Sequence, residues 1–193
     1  SFRLVPEFES IADNHYQRIY RDGLVRVSYD EPNGLLQIKS DLPQDQLDNL
    51  IVPVSRIFRP QLCTQAIYQQ LLPHLPILAK SPGFRPLGCW DPFELCLRTI
   101  IGQQVTVAAA NMIMRRLVER CGQLTPEVLL AADLSNMGMP GARVAALIAL
   151  ATALANGDLD LSRPWPELKE ALLKLRGIGP WTCVYLAIRL GMD

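Results

Sequence analysis

No stretch of this chain is apolar for long enough to cross a bilayer, although 49% of its 193 residues are hydrophobic. A spanning helix needs about 20 such residues in a row, so no membrane partner is expected. Charge of a single sign is also missing: 19 Lys and Arg balance 19 Asp and Glu. That balance excludes a protein that coats nucleic acid by bulk charge. Any anion must then be held locally, as backbone amides at helix ends can do without a lysine. The two histidines, His15 and His74, stand alone with no acid–base partner nearby. The five cysteines, at 63, 89, 96, 121 and 183, contain no C-x-x-C pair. A zinc or iron–sulfur site is therefore not expected. An odd, scattered set reads as reduced thiols, mostly core filler, in a cytoplasmic protein. The opening Ser1-Phe2-Arg3-Leu4 shows no basic head before an apolar run, so no secretory signal is read.

What is present changes character along the chain. Leu24 to Tyr29 alternates and Leu35 to Lys39 reads as a second strand. Asp30-Glu31-Pro32-Asn33-Gly34 turns between them. Residues 1 to about 40 are expected to form a small antiparallel sheet with one short helix at 9–15. From Pro43 the spacing is helical, over Gln44 to Phe58 and Cys63 to Leu71, with Pro53 expected to kink or break the first. The prolines at 73, 76, 82 and 86 mark a loop. From residue 91 onward six helices are expected. Asp91-Pro92-Phe93-Glu94 opens the first, with Asp as cap, Pro in the first turn and Glu three residues after the cap. Gly102-Gln103-Gln104 interrupts. The remaining helices run over 106–121, from 125, and over 141–156, 166–174 and 180–190. The fold class is α+β, mainly α. The expected division is a β-rich domain over 1–60 and a helical domain over 61–193.

The most informative stretch is Leu175-Arg176-Gly177-Ile178-Gly179-Pro180-Trp181-Thr182. Two amphipathic helices flank a Gly-x-Gly turn, and Pro180 sits where its missing donor costs nothing. The outcome is a helix N-terminus with free amides and a positive dipole end, which suits a phosphate. Read alone, the same residues also suit a plain turn between packed helices. A dinucleotide fingerprint is excluded because no strand precedes it and the third glycine is absent.

With its neighbours, this stretch resembles the helix-hairpin-helix DNA glycosylases of the 3-methyladenine DNA glycosylase II type. Gly88-Cys89-Trp90-Asp91-Pro92-Phe93-Glu94 through Ile101-Gly102-Gln103-Gln104-Val105 is similar to that subfamily. Met137-Gly138-Met139-Pro140-Gly141-Ala142-Arg143 lies between the two, in the family's order. The resemblance covers about residues 88–193 and puts the helix-hairpin-helix at 167–190.

The resemblance implies base-excision repair of double-stranded DNA containing alkylated bases, by base flipping. It implies that Gln104 is the wedge filling the gap, and that Trp181 and Tyr185 line the base pocket. Both aromatics lie one helical turn apart, and aromatic faces attract a positively charged methylated base. It implies phosphate binding at Leu175, Arg176, Gly177, Ile178, Gly179 and Thr182. No cofactor is required. A structural monovalent cation on the backbone carbonyls of Leu173, Leu175 and Ile178 is the one ion implied. Bifunctional relatives carry a lysine where this chain has Trp181, and a tryptophan forms no Schiff base, so a monofunctional hydrolase is expected. The family's catalytic aspartate lies a loop beyond the second hairpin helix, past Asp193. The catalytic residue is thus unknown here, the chain is expected to be truncated at its carboxyl end, and Asp91 reads as a cap. A monomer in the cytoplasm or at the nucleoid is expected. Two other readings stay open: a non-catalytic helix-hairpin-helix DNA-binding module, and a plain helical interaction domain.

Overall fold

The computed structural model describes residues 4–80 and 85–192; the readings made on residues 1–3, Pro82 and Asp193 lie outside the described residues. Four strands come first: β1 (Glu9–Ala12), β2 (His15–Tyr20), β3 (Gly23–Asp30) and β4 (Leu35–Ser40). They form one antiparallel meander in the order β1-β2-β3-β4. The short helix expected at 9–15 is replaced by β1, a tight turn and the start of β2. Asp13 and Asn14 take φ of 50° and 61°, joining Ala12 to His15 by a two-residue reversal. Asp and Asn tolerate that left-handed backbone, and a turn of this hand matches strand twist. The signal was present in Asp13-Asn14, but apolar spacing over so few residues does not separate helix from strand.

The sheet alternates as its register demands. Tyr16, Arg18, Val25 and Val27 are buried on one face. Against them lies α1 (Ile51–Phe58), through Val54 and Ile57. Trp90 completes this small core, stacked on Tyr16 with ring centres 6.4 Å apart. Pro53 does not break the helix. A 3₁₀ turn over Gln44–Leu50 runs into α1, and Pro53 falls in the first turn of α1, where backbone amides have no intrahelical partner to lose. Next, α2 (Gln65–Leu71) buries no residue, and another 3₁₀ turn covers Pro76–Lys80.

Among the described residues the rest is helical: α3 (Pro92–Ile101), α4 (Val107–Cys121), α5 (Pro126–Ala131), α6 (Gly141–Ala155), α7 (Trp165–Leu173) and α8 (Pro180–Leu190). α3 is the axis of the larger core. Every residue from Phe93 to Ile101 is buried, and α4, α6 and α8 all pack on it. Its large apolar side chains contribute roughly 1.5–3 kcal/mol each, so this one helix anchors the elements that carry the site. Asp91 caps it, its carboxylate accepting the amides of Phe93 and Glu94 at 2.8 and 3.0 Å. Thr106 and Thr125 cap α4 and α5 in the same way. All five cysteines are free thiols, and Cys89, Cys96 and Cys183 are core residues. No helix among the described residues is long and apolar enough to cross a membrane.

Polar contacts join the N-terminal elements to the helical bundle. The Arg18 guanidinium donates to both Glu94 oxygens, at 2.8 and 2.6 Å, with the whole group buried between the rings of Phe8 and Trp90. Glu9 stands 3.6 Å away on the same guanidinium and accepts the Tyr16 hydroxyl. Arg59 reaches across to the carbonyls of Ile188 and Arg189 and so finishes the C-terminus of α8.

Candidate nucleic-acid interface

α7, the turn over 174–179 and α8 form the hairpin. Leu168 and Leu172 from α7, Ile178 from the turn and Cys183 and Leu186 from α8 are all buried, which fixes its angle on the core. Within the turn, Leu175 N–H donates to Leu172 and Ile178 N–H to Leu175. The two glycines differ. Gly177 has φ +86°, and a Cβ there would lie 2.7 Å from the Cβ of Ala146 on α6. It is glycine because the backbone is left-handed and α6 passes close. Gly179 has φ −108° and ψ 177°, an extended conformation any residue adopts, and a Cβ there would meet nothing within 4 Å.

Gly179 is the N-cap of α8, and no side chain caps this helix. Its first backbone bond runs from Cys183 N–H to the Gly179 carbonyl. The amides of Trp181 and Thr182 therefore point out of the helix end with no carbonyl in the preceding turn, and Pro180 has none to offer. Thr182 as a whole is buried at this end, its hydroxyl turned to the loop after α3. Arg176 is exposed beside this end. The carbonyls of Leu173, Leu175 and Ile178 lie around the same turn, and the Leu175 carbonyl already accepts the Ile178 amide.

Gln104 sits in the loop between α3 and α4, exposed, with a left-handed φ of 53°. Its neighbour Gln103 turns the other way. The Gln103 side-chain amide donates to the Gly177 carbonyl at 2.9 Å and to the Thr182 hydroxyl at 3.2 Å. Arg143, near the start of α6, donates to the Gln103 carbonyl at 2.6 Å.

Trp181 is 65% exposed on the first turn of α8 and stacks on Tyr185, ring centres 5.6 Å apart and planes 11° from parallel. Arg189 donates to the Tyr185 hydroxyl at 2.9 Å and to the Gly88 carbonyl at 2.6 Å. The pair thus forms a flat aromatic platform on an open face. Two sizeable clefts lie elsewhere. One of about 940 Å³ runs between the sheet and α3–α4, past Phe8, Ile19, Arg98 and Asn111. The other, of about 950 Å³, lies between α5 and α6. Neither includes Trp181 or Gln104, so cavity size does not mark this surface.

Sequence reasoning singled out Gln104, Trp181, Tyr185 and the turn, and these lie on the adjoining ends of α3 and α8. It gave no separate role to Gln103 or Arg189. Arg189 had a legible signal, since it follows Tyr185 by four residues and Trp181 by eight along one helix stripe. Gln103 had none, because its partners lie 74 and 79 residues away. Asp91 is occupied by capping α3. Among the described residues no group of three or more His, Cys, Asp or Glu is placed to hold a metal ion.

The chain is similar to several known proteins. The family model for the HhH-GPD superfamily base excision DNA repair proteins matches residues 97–185. DNA-3-methyladenine glycosylase 2 of Escherichia coli K12 is 34% identical over 210 aligned positions, covering 97% of this chain and 73% of that protein. A probable bifunctional transcriptional activator/DNA repair enzyme of Mycobacterium tuberculosis is 29% identical, over 96% of this chain but 42% of its own length. Among solved structures, a 3-methyladenine DNA glycosylase from Archaeoglobus fulgidus superposes with a TM-score of 0.76 at 17% identity, covering 98% of this chain and 72% of that one. An 8-oxoguanine glycosylase/lyase of Clostridium acetobutylicum superposes at 0.70 and 21% identity, covering 94% and 69%. At such identities the two structures speak for the fold.

Proposed function

Because the chain belongs to the HhH-GPD superfamily of base excision DNA repair proteins, we propose that it is a DNA glycosylase that hydrolyses the N-glycosidic bond of alkylated bases, of the 3-methyladenine type, without cutting the strand. The observation that carries this reading is the uncapped N-terminus of α8 set beside a stacked aromatic pair. The amides of Trp181 and Thr182 hold a backbone phosphate of the duplex, and Arg176 adds charge at the rim. Trp181 and Tyr185 receive the extruded base, whose positive charge an aromatic face favours. Gln104 enters the stack in its place. In the overall step the bond between the base and C1′ breaks, the base leaves with the electron pair, water supplies the hydroxyl at C1′, and the remaining proton of that water goes to solvent.

Trp181 occupies the position where bifunctional members carry their lysine, so water rather than an amine is the nucleophile. The carbonyls of Leu173, Leu175 and Ile178 fit a monovalent cation, being hard oxygen donors gathered at one turn. Such an ion would stiffen the turn and add positive charge near the phosphate, and no chemical step runs through it. The protein acts as a monomer on DNA in the cytoplasm.

The direct test is base release from methylated DNA by the full-length protein. Release of 3-methyladenine that leaves an intact abasic strand is expected. A borohydride-trapped protein–DNA adduct would refute the monofunctional reading, because only an amine nucleophile gives one. No release from any alkylated substrate, with DNA binding retained, would leave a binding module instead.

The wedge has its own test. Gln104→Ala should weaken binding to a duplex containing an abasic analogue by about tenfold while leaving the intact duplex nearly unchanged, since unstacking repaid by a wedge is worth a few kcal/mol at most. Equal losses on both duplexes would make Gln104 a phosphate contact.

A further inference from the structure

We infer that Gln103 is a positioning residue that couples the inserted loop to the phosphate seat, so that seating the phosphate holds Gln104 at the height of the base stack. This rests on the reading of the surface as a glycosylase interface and names how its two halves act together.

Three elements meet at this one side chain. The Gln103 amide group donates to the Gly177 carbonyl in the hairpin turn and to the Thr182 hydroxyl in the first turn of α8. Its backbone carbonyl accepts from Arg143 of α6. α6 is itself pressed on the turn, where Ala146 leaves no room for a Cβ on Gly177. The residue bound from both ends is therefore the one directly before Gln104.

Gln104 is a non-glycine residue at φ 53°. That backbone is disfavoured for an L-residue and persists only where the surroundings over-determine it. The Gln103 contacts supply that determination. Thr182 adds a second link, because its backbone amide belongs to the phosphate seat while its hydroxyl accepts from Gln103. A phosphate that orders this amide orders the hydroxyl, and through it the loop carrying the wedge.

Capping does not account for the same facts. α3 ends at Gly102 through its own backbone bonds, and α4 is capped by Thr106. Neither end uses the Gln103 side chain.

The test replaces Gln103 by Met, which keeps the length and loses the donor. Binding of the chain to intact duplex and to duplex with a tetrahydrofuran abasic analogue is measured beside wild type, Gln104→Ala and the double variant. Q103M should lower the preference for abasic over intact duplex by about fivefold to tenfold, the loss of one to two neutral hydrogen bonds. The double variant should show the same preference as Q104A alone, because Gln103 acts through its neighbour. Equal loss on both duplexes, or additive losses in the double variant, overturns the inference. Hydrogen exchange of the free protein reads the coupling without DNA. In Q103M, exchange should quicken at 103–105 and at 177–179 together, with α4 unchanged; no change at 103–105 would sink the inference. If wild type itself shows no abasic preference, the wedge reading fails, and the exchange result still decides whether Gln103 joins the two loops.

Discussion

Replacing Gly179 by Asp should leave the protein at least as stable as wild type and remove most of its affinity for DNA. Position 179 is the N-cap of α8 with an extended backbone, no capping side chain and open space around a Cβ. An aspartate there can accept the amides of Trp181 and Thr182, as N-cap residues do at N2 and N3. That stabilises a helix by about 0.5–2 kcal/mol relative to a residue that cannot cap, and by a few tenths relative to glycine. The same carboxylate occupies the place of the phosphate and repels it. Hydrogen bonds to a charged group are worth about 1.5–3 kcal/mol, so affinity should fall by about tenfold to a hundredfold, alike for all sequences. The slope of log affinity against log salt should drop by about one phosphate. Unfolding midpoints and salt-dependent binding isotherms check both halves. Unchanged affinity would reduce the hairpin to a turn.

Gly177→Ala is the contrasting variant. It forces an L-residue to φ +86° and drives its Cβ to 2.7 Å from that of Ala146. A stability loss of about 2–4 kcal/mol is expected from the backbone strain and the overlap together. Adding Ala146→Gly should recover the overlap and leave the strain. Opposite signs on stability at two glycines two residues apart would show that one serves the fold and the other the surface.

Arg18→Met should be the most damaging single change outside the hairpin. It leaves the Glu94 carboxylate buried without its guanidinium, and breaking a buried pair in this way costs about 3–5 kcal/mol. Arg18→Met with Glu94→Leu should recover much of the loss, because that apolar pair carries no desolvation cost, and the remainder reports Glu9, which also loses the guanidinium. The loss depends on pH in a fixed direction. Burial already pushes Glu94 up to about 7, against the pull of Arg18, with Asp91 and Glu9 adding to the rise. Burial alone would lower Arg18, but its bonds and charge contacts with Glu94 and Glu9 raise it. Without Arg18 only the raising effects on Glu94 remain. A carboxyl raised in the folded state stabilises while protonated and loses that contribution as pH climbs from its ordinary 4.5 through the folded value. The penalty for Arg18→Met should therefore be largest above pH 7 and shrink on acidification toward pH 5. A penalty independent of pH would mean that packing against Phe8 and Trp90, not the charge, is what Arg18 supplies.

Much of this architecture was legible residue by residue. The alternation over 24–29 and 35–39 placed β3 and β4, and Asp91-Pro92 placed the start of α3, because caps, turns and hydrophobic period are local properties of a chain. The hairpin and the aromatic pair were legible for the same reason: Gly-x-Gly-Pro and a four-residue spacing act within one turn of helix. Tertiary packing decided the rest. Residues 9–12 became strand, with a turn at 13–14, because the neighbouring strand offered hydrogen bonds that a lone helical turn could not match. Pro53 was absorbed because the helix began later than its periodicity suggested. Gly177 and Gly179 look alike in sequence, and only the passage of α6 beside one of them separates their tasks. Arg18 with Glu94, Arg189 with Gly88 and Gln103 with Gly177 join residues 76, 101 and 74 apart. No local pattern specifies such a pair. Each arises when the cores bring two faces together, and for the buried Arg18 and Glu94 a missing partner would destabilise the fold.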